Sequence, residues 1–221
     1  MFNEKEKLKI LADAIKIRTE NDNEAKLAKY FQELLKKYGI ESKLVHYNPQ
    51  RASLVCDLDG SKGSGKMLVV SGHLDVVTAG DESEWTYPPF GGEIHDGKMY
   101  GRGTTDMKAG LCALIIAMIE LKEEGANFKG KIRLAATVGE EVGMYGSKQL
   151  VEEGYIDGAD GFLIAEPSSS NRIINAHKGS LQYEIIATGK PAHSSMPEIG
   201  IDSIQLMVDY INETNKRFAK A

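Results

Sequence analysis

A chain of 221 residues, 42% hydrophobic and 27% charged, has material for one sizeable core or one core and part of a second, and its composition is that of an ordinary globular protein. The net charge is −5, and the 27 Lys and Arg are scattered, with no basic stripe interleaved with aromatics, so nucleic acid is not an expected partner. No apolar run is long enough for a membrane span, Met1 to Lys7 does not read as a signal peptide, and Cys56 and Cys112 sit in apolar patterns, which together give a cytoplasmic protein without a disulfide framework as the expectation.

Leu8, Leu11, Ala12 and Ile15 recur at helical spacing, as do Leu27, Phe31, Leu34 and Tyr38, and Gly39 is placed to end the second run, so two amphipathic helices are expected first. Strands are expected over Ser42 to Tyr47 and Ala52 to Leu58, joined around Asn48-Pro49. The glycine-rich Ser61 to Gly65 stretch precedes a strand and lacks the Lys-Ser/Thr ending of a phosphate loop, so it reads as a surface turn. A strand ends near Ser71, and Trp85 to Tyr100, rich in Pro, Gly and aromatics, reads as a long functional loop. Met107 to Glu123 is apolar almost all round, which predicts a helix buried against a sheet. A strand over Ile132 to Val138, a short helix near Ser147 to Glu153 and a strand over Gly161 to Ala165 continue the alternation of β and α units. Beyond Asn175-Ala176-His177-Lys178-Gly179 the pattern changes. There Leu181 to Thr188 reads as one more strand, and Ile201, Ile204, Val208 and Ile211 mark one face of a last helix. This pair is too small to close a core, so residues 1–177 are expected to form one domain and 178–221 the incomplete beginning of another.

Chemistry concentrates where the strands stop. Val69 to Gly72 runs into His73-Leu74-Asp75, Ile132 to Val138 into Gly139-Glu140-Glu141, and Gly161 to Ala165 into Glu166-Pro167, while Asp106 stands at the mouth of a helix. In an open α/β sheet, ligands bind beyond the carboxyl ends of the strands, so these groups can share one crevice. Unpaired, that many carboxylates would repel one another and titrate upward, and a bound dication keeps them ionised together. Taken singly, a histidine at a strand end is a satisfied structural residue and a Glu-Glu pair a solvated face; the metal reading rests on their convergence. His46 and His95, in an edge strand and a His-Asp-Gly turn, read as structural or solvated, and His177 as a domain-junction residue.

The motifs His73-Leu74-Asp75, Gly101-Arg102-Gly103 through Asp106-Met107-Lys108, Glu140-Glu141, Glu166-Pro167 and Gly189-Lys190-Pro191-Ala192-His193-Ser194-Ser195 occur in an order that resembles the M20 metallopeptidase family, over nearly the whole chain. That family includes succinyl-diaminopimelate desuccinylase, acetylornithine deacetylase, aminoacylase and glutamate carboxypeptidase. The resemblance implies a three-layer α/β/α zinc-hydrolase domain with a mixed central sheet, followed by the start of an α+β lid and dimerisation domain. It implies two zinc ions, replaceable by cobalt or manganese, with His73 and Glu166 on one, Glu141 on the other and Asp106 bridging both. Asp75 would orient the His73 ring, Glu140 would be the general base, and His193 would reach a neighbouring subunit's site to stabilise an oxyanion. A cis peptide is implied after the bridging aspartate, at Asp106-Met107.

The implied function is a cytoplasmic, dimeric amidohydrolase that removes an acyl group from a small N-acyl amino acid. Succinyl-diaminopimelate desuccinylase in lysine biosynthesis is the first reading, and acetylornithine deacetylase, or a dipeptidase or carboxypeptidase acting on the same site, are the alternatives. Family members are longer and complete the second zinc site with a late histidine, whereas no histidine follows His193. The chain therefore reads as shortened, and an inactive remnant or interaction protein that keeps the fold is the rival from another class.

Overall fold

The computed structural model describes residues 1–168, 172–176, 178, 179 and 181–219. Helix α1 (Glu4–Lys16) starts with a reciprocal cap, in which Asn3 accepts the Glu6 N–H while the Glu6 carboxylate accepts the Asn3 N–H. Helix α2 (Glu24–Lys37) buries Leu27, Ala28, Phe31 and Leu35 along one stripe and is closed by Gly39, whose φ of +67° lets the chain turn back on itself. Seven strands follow among the described residues: β1 (Ser42–His46), β2 (Ala52–Asp59), β3 (Met67–His73), the hairpin β4 (Glu93–His95) and β5 (Lys98–Tyr100), β6 (Lys131–Thr137) and β7 (Gly161–Ile164). Between them lie helices α3 (Lys108–Glu123) and α4 (Tyr145–Glu152).

Five of the strands form one mixed sheet in the order β1-β2-β6-β3-β7. The β1–β2 and β2–β6 pairs are antiparallel, and β3 runs parallel to both β6 and β7. Because successive side chains point to opposite faces, each strand contributes to two cores. Leu54, Cys56, Leu58, Val70, Leu134 and Ala136 pack with the apolar faces of α1, α2 and α3, whereas Val45, Val55, Val69 and Ala135 pack with Leu150 of α4. The result is the three-layer α/β/α arrangement expected from the motifs. Helix α3 is buried through Leu111, Cys112, Ile115, Ile116, Met118 and Ile119, as its nearly uniform apolarity predicts.

The parallel run fixes where chemistry can occur. Strands β6, β3 and β7 all end at the same edge, with His73 opposite Thr137 and Ser71 opposite Ile164 in register. The residues that follow each strand therefore emerge side by side, which is the geometric basis of sites at the carboxyl edge of α/β sheets.

Two expectations are corrected. The Trp85 to Tyr100 stretch is not loop throughout, since it holds the β4–β5 hairpin. That hairpin turns at Asp96-Gly97, both with positive φ (50° and 74°), the conformation that two-residue hairpin loops require. The strand expected over Leu181 to Thr188 does not form among the described residues. Backbone groups become a strand only when a neighbour supplies the ladder, and this segment has only the single bridge between Lys190 and Ile201 beside it. Its apolar side chains are accordingly in the open, Leu181 at 82% and Ile186 at 77% exposure.

The chain divides into two compact units, Met1–Arg172 and Ile173–Ala221. In the second, helix α5 (Ser203–Phe218) is capped by Asp202, whose carboxylate accepts the Ile204 and Gln205 N–H groups. His177 lies outside the described residues. No helix among the described residues is long and apolar enough to cross a membrane.

One glycine tests the packing of α3 against the strand end that carries Glu166. A Cβ on Gly110 would overlap the carbonyl oxygen of Ala165. Helix propensity favours Gly110→Ala by about 1 kcal/mol, but overpacking costs about 1–3 kcal/mol, so the steric effect should win. The variant should melt roughly 2–8 °C below the parent in a thermal scan; a rise in melting temperature would show that this contact is slack.

Candidate metal centre

His73 is the best-fixed member of the cluster. It is the last residue of β3, is 2% exposed, and donates its backbone N–H to the Met107 sulfur at 3.0 Å. Ring nitrogen Nδ1 lies 2.8 Å from the Asp75 carbonyl oxygen and is its donor, which leaves the Nε2 lone pair facing outward. There it meets Asp106 Oδ1 at 3.0 Å and Glu166 Oε1 at 3.6 Å. The tautomer is thus set by the Asp75 backbone, while the Asp75 carboxylate stands 3.7 Å from Nδ1.

That carboxylate has another task. Fully buried, it accepts the N–H groups of both Glu140 and Glu141 at 3.2 Å, and so clamps the turn after β6 to the segment after β3. The turn is braced from behind by a group that the sequence does not advertise. Arg51 grips the fully buried Glu24 through Nε and Nη2, lies over the Tyr145 ring at 5.5 Å, and sits where a side chain on Gly139 would have to go. Gly139 has φ +64°, so both its backbone and its surroundings demand glycine. Arg51 follows a turn and Glu24 opens a helix, and neither position carries a sequence signal for burial or pairing.

Ligand-type atoms of His73, Asp106 and Glu166 lie within 4.8 Å of one another, and those of His73, Glu140 and Glu141 do the same. Four of the carboxylates singled out by sequence, Asp106, Glu140, Glu141 and Glu166, therefore surround one imidazole. Asp106, at the mouth of α3, follows the Gly101–Gly103 turn and is joined to Met107 by a cis peptide. Its side chain is 50% exposed and that of Glu166 40%, so the cluster opens to solvent above a buried histidine floor. A groove of about 610 Å³ lined by Ile40, Asp57, Leu58 and Lys122 lies near the amino-terminal end of β6, the opposite edge of the sheet, and contains none of these residues.

Residues 69–216 match the model of peptidase family M20/M25/M40. The chain belongs to that family. It is 48% identical over 219 residues to a probable succinyl-diaminopimelate desuccinylase of Staphylococcus epidermidis, a match that takes in 99% of this chain and 53% of the relative. A protein of the same description from Staphylococcus aureus is 47% identical over 220 residues, again 99% of this chain and 53% of the relative. The chain thus spans about half the length of the curated relatives it matches. Among solved structures, a tripeptidase from Staphylococcus aureus superposes with a TM-score of 0.65 at 23% identity, covering 96% of this chain and 57% of that one, which shows a common fold.

The charges of this M20 chain test whether a cation fits. Burial pushes the Glu166 carboxyl up to about 7, and Asp106 and Glu140 beside it push the same way. Glu141 is raised as well, first by burial and then by Asp106, Glu140 and Asp75. Burial alone would lower His73, but Asp75 and Glu166 outweigh it and raise it. Left to themselves, these groups hold protons at pH values where free carboxylates would not. A divalent cation replaces those protons, and the donor set of one imidazole with an outward lone pair and several carboxylates suits it.

His193 belongs to the second compact unit, where it is exposed and pairs through Nδ1 with the Ser195 hydroxyl at 2.8 Å. His95 stacks on Tyr87 at 3.7 Å and pairs with Glu93 at 2.8 Å, and His46 ends the edge strand β1, where it is exposed.

Metal removal should make these shifts visible. In chelator-treated protein, folded Glu166 keeps until about pH 7 a proton that the unfolded chain gives up near 4.5. The folded state then binds more protons, so stability falls as pH rises through that window. Melting temperatures measured between those two pH values should decline in the chelated parent and decline less in Glu166→Gln, and zinc should remove the difference from the parent. A chelated parent that gains stability across the window relative to Glu166→Gln would contradict the crowding.

Proposed function

We propose that this chain carries the metal-binding half of a zinc-dependent amidohydrolase that removes the succinyl group from a small N-succinyl amino acid, with diaminopimelate as the parent amine. The observation that carries the reading is the meeting within 4.8 Å of His73 and Glu166, at the ends of parallel strands, with Asp106 at the mouth of α3, in an M20 chain. The choice of a succinyl substrate is supported by the 46–48% identity to the probable desuccinylases of staphylococci. Acetylornithine deacetylase and dipeptidase activities are the alternatives within the same chemistry. Lysine biosynthesis in the cytoplasm and a homodimer of the whole protein belong to this reading.

In it, His73, Asp106 and Glu166 would hold one zinc, and Glu141 with Asp106 would serve a second. Cobalt or manganese fits the same donors. A divalent cation bound there supplies Lewis acidity toward an amide carbonyl and makes water acidic near neutral pH. The chain's own residues supply the rest. His73 is held in its ligand tautomer by the Asp75 carbonyl. Glu140 is exposed beside the cluster with its backbone fixed by Asp75, so its carboxylate is free to take a proton from the attacking water and deliver it to the leaving amine nitrogen. His193 is assigned the oxyanion-stabilising role in the site of a partner subunit.

Two substitutions separate these roles. His73→Ala should remove the more tightly held zinc after dialysis, as read by elemental analysis. In the whole protein, Glu140→Gln should keep the metal content and lower hydrolysis by about 10²–10⁴-fold. A panel of N-succinyl-diaminopimelate, N-acetylornithine and dipeptides should give the highest kcat/KM for the first. Parental zinc in His73→Ala would end the metal reading, parental turnover in Glu140→Gln would end the general-base assignment, and preference for a dipeptide would move the protein among the peptidases.

A further inference from the structure

The motif Asp106-Met107-Lys108 ends in a lysine that the chemistry above does not use. Lys108 is fully buried, and among the described residues no carboxylate pairs with it. Its Nζ donates to the carbonyls of Ala14 at 3.0 Å and Ile17 at 2.7 Å, at the carboxyl end of α1. An ammonium buried with two carbonyl partners is costly to desolvate, and a methionine of similar length would fill the space without that cost. Its presence calls for a reason other than packing.

The hydrogen bonds around it form a closed path. Two residues after Ile17, the Thr19 hydroxyl donates to the Leu74 carbonyl at 2.7 Å, and the Thr19 carbonyl accepts the Val76 N–H at 2.9 Å. On the other side, Met107, next to Lys108, takes the His73 N–H on its sulfur at 3.0 Å, and the Lys108 N–H is bonded to the Gly103 carbonyl at 2.9 Å. The path therefore runs from His73 through Leu74, Thr19, Ile17, Lys108 and Met107 back to His73. Thr19, Leu74, Met107 and Lys108 are all fully buried. Asp106 hangs from this ring, with its carboxylate 3.0 Å from His73 Nε2.

We propose that Lys108 is a positioning residue: its ammonium fastens the carboxyl end of α1 to the start of α3 and thereby holds Asp106 at its distance from the His73 imidazole. The inference rests on the reading of that cluster as a divalent-metal site. A local support of this kind sets how well preorganised the ligands are, and loss of such supports lowers metal affinity about 10–100-fold.

Cobalt binding to the 221-residue chain tests it, with affinity from chelator competition and coordination from the visible absorption of the bound ion. Lys108→Met should bind cobalt about 10–100-fold more weakly and with altered absorption bands. Thr19→Val should weaken binding through the same ring, and the double variant should lose less than the product of the two single effects. Ile119→Ala, a buried deletion further along α3, should lower the melting temperature yet leave affinity within about twofold. Parental affinity and spectrum in both Lys108→Met and Thr19→Val would overturn the proposal, as would an equal loss of affinity in Ile119→Ala. A parent that binds no cobalt would instead remove the metal reading beneath it.

Discussion

The crowding of carboxylates around one imidazole is the constraint on which the rest of this structure turns. Asp106 and Glu166 approach the same nitrogen of His73, and Glu140 and Glu141 stand around the same ring. Burial first, and then the like charges beside them, raise the proton affinity of Glu166 and Glu141. A fold that served stability alone would not assemble such a group at the open edge of a sheet. The arrangement becomes favourable once a dication takes the place of the protons, and that exchange links the architecture to the chemistry proposed for it.

The scaffold answers this constraint from below and behind. Parallel β6, β3 and β7 bring three chain segments to one edge, and their register decides which residues emerge together. Asp75 then joins two of those segments, with its carbonyl orienting His73 and its carboxylate holding the Glu140–Glu141 turn. Behind it, the Glu24–Arg51 pair fills the space at Gly139. A buried ion pair is weak evidence for stability, since well-packed apolar groups of similar volume often do as well, but it fixes a geometry. Lys108 and Thr19 act similarly on the side of Asp106. Little of this support is exposed, in contrast to the half-exposed carboxylates it serves.

Much of this is legible in the sequence alone. Helical periodicity located α1 and α2, apolar runs located β3, β6 and β7, and the uniform apolarity of Met107 to Glu123 foretold a helix buried against a sheet, because burial leaves its mark directly on residue type. The cluster was legible for a related reason: charged and imidazole side chains directly after apolar strands need a purpose. What stayed hidden depends on partners distant in sequence. Glu24 and Arg51 are 27 residues apart, and the Lys108 ammonium meets carbonyls more than 90 residues away, so each looks like a surface charge in its local context. The contact of His73 Nδ1 with the Asp75 carbonyl is a backbone one, which no residue type announces. Leu181 to Thr188 failed for the complementary reason, since alternation marks a segment fit for a sheet while the ladder must come from another strand. The hairpin at Asp96-Gly97 carried the right turn signal but lay among prolines and glycines that read as loop.

A calorimetric titration at pH 6 measures the displacement of protons from this cluster by zinc. Repeating the titration in buffers with different ionisation enthalpies gives the number of protons released per ion bound. At that pH the Glu166 carboxyl, raised to about 7, still holds its proton in the free protein. Zinc binding should be saturable, with roughly one proton more released by the parent than by Glu166→Gln. Binding that releases no protons, or equal release from parent and variant, would contradict it.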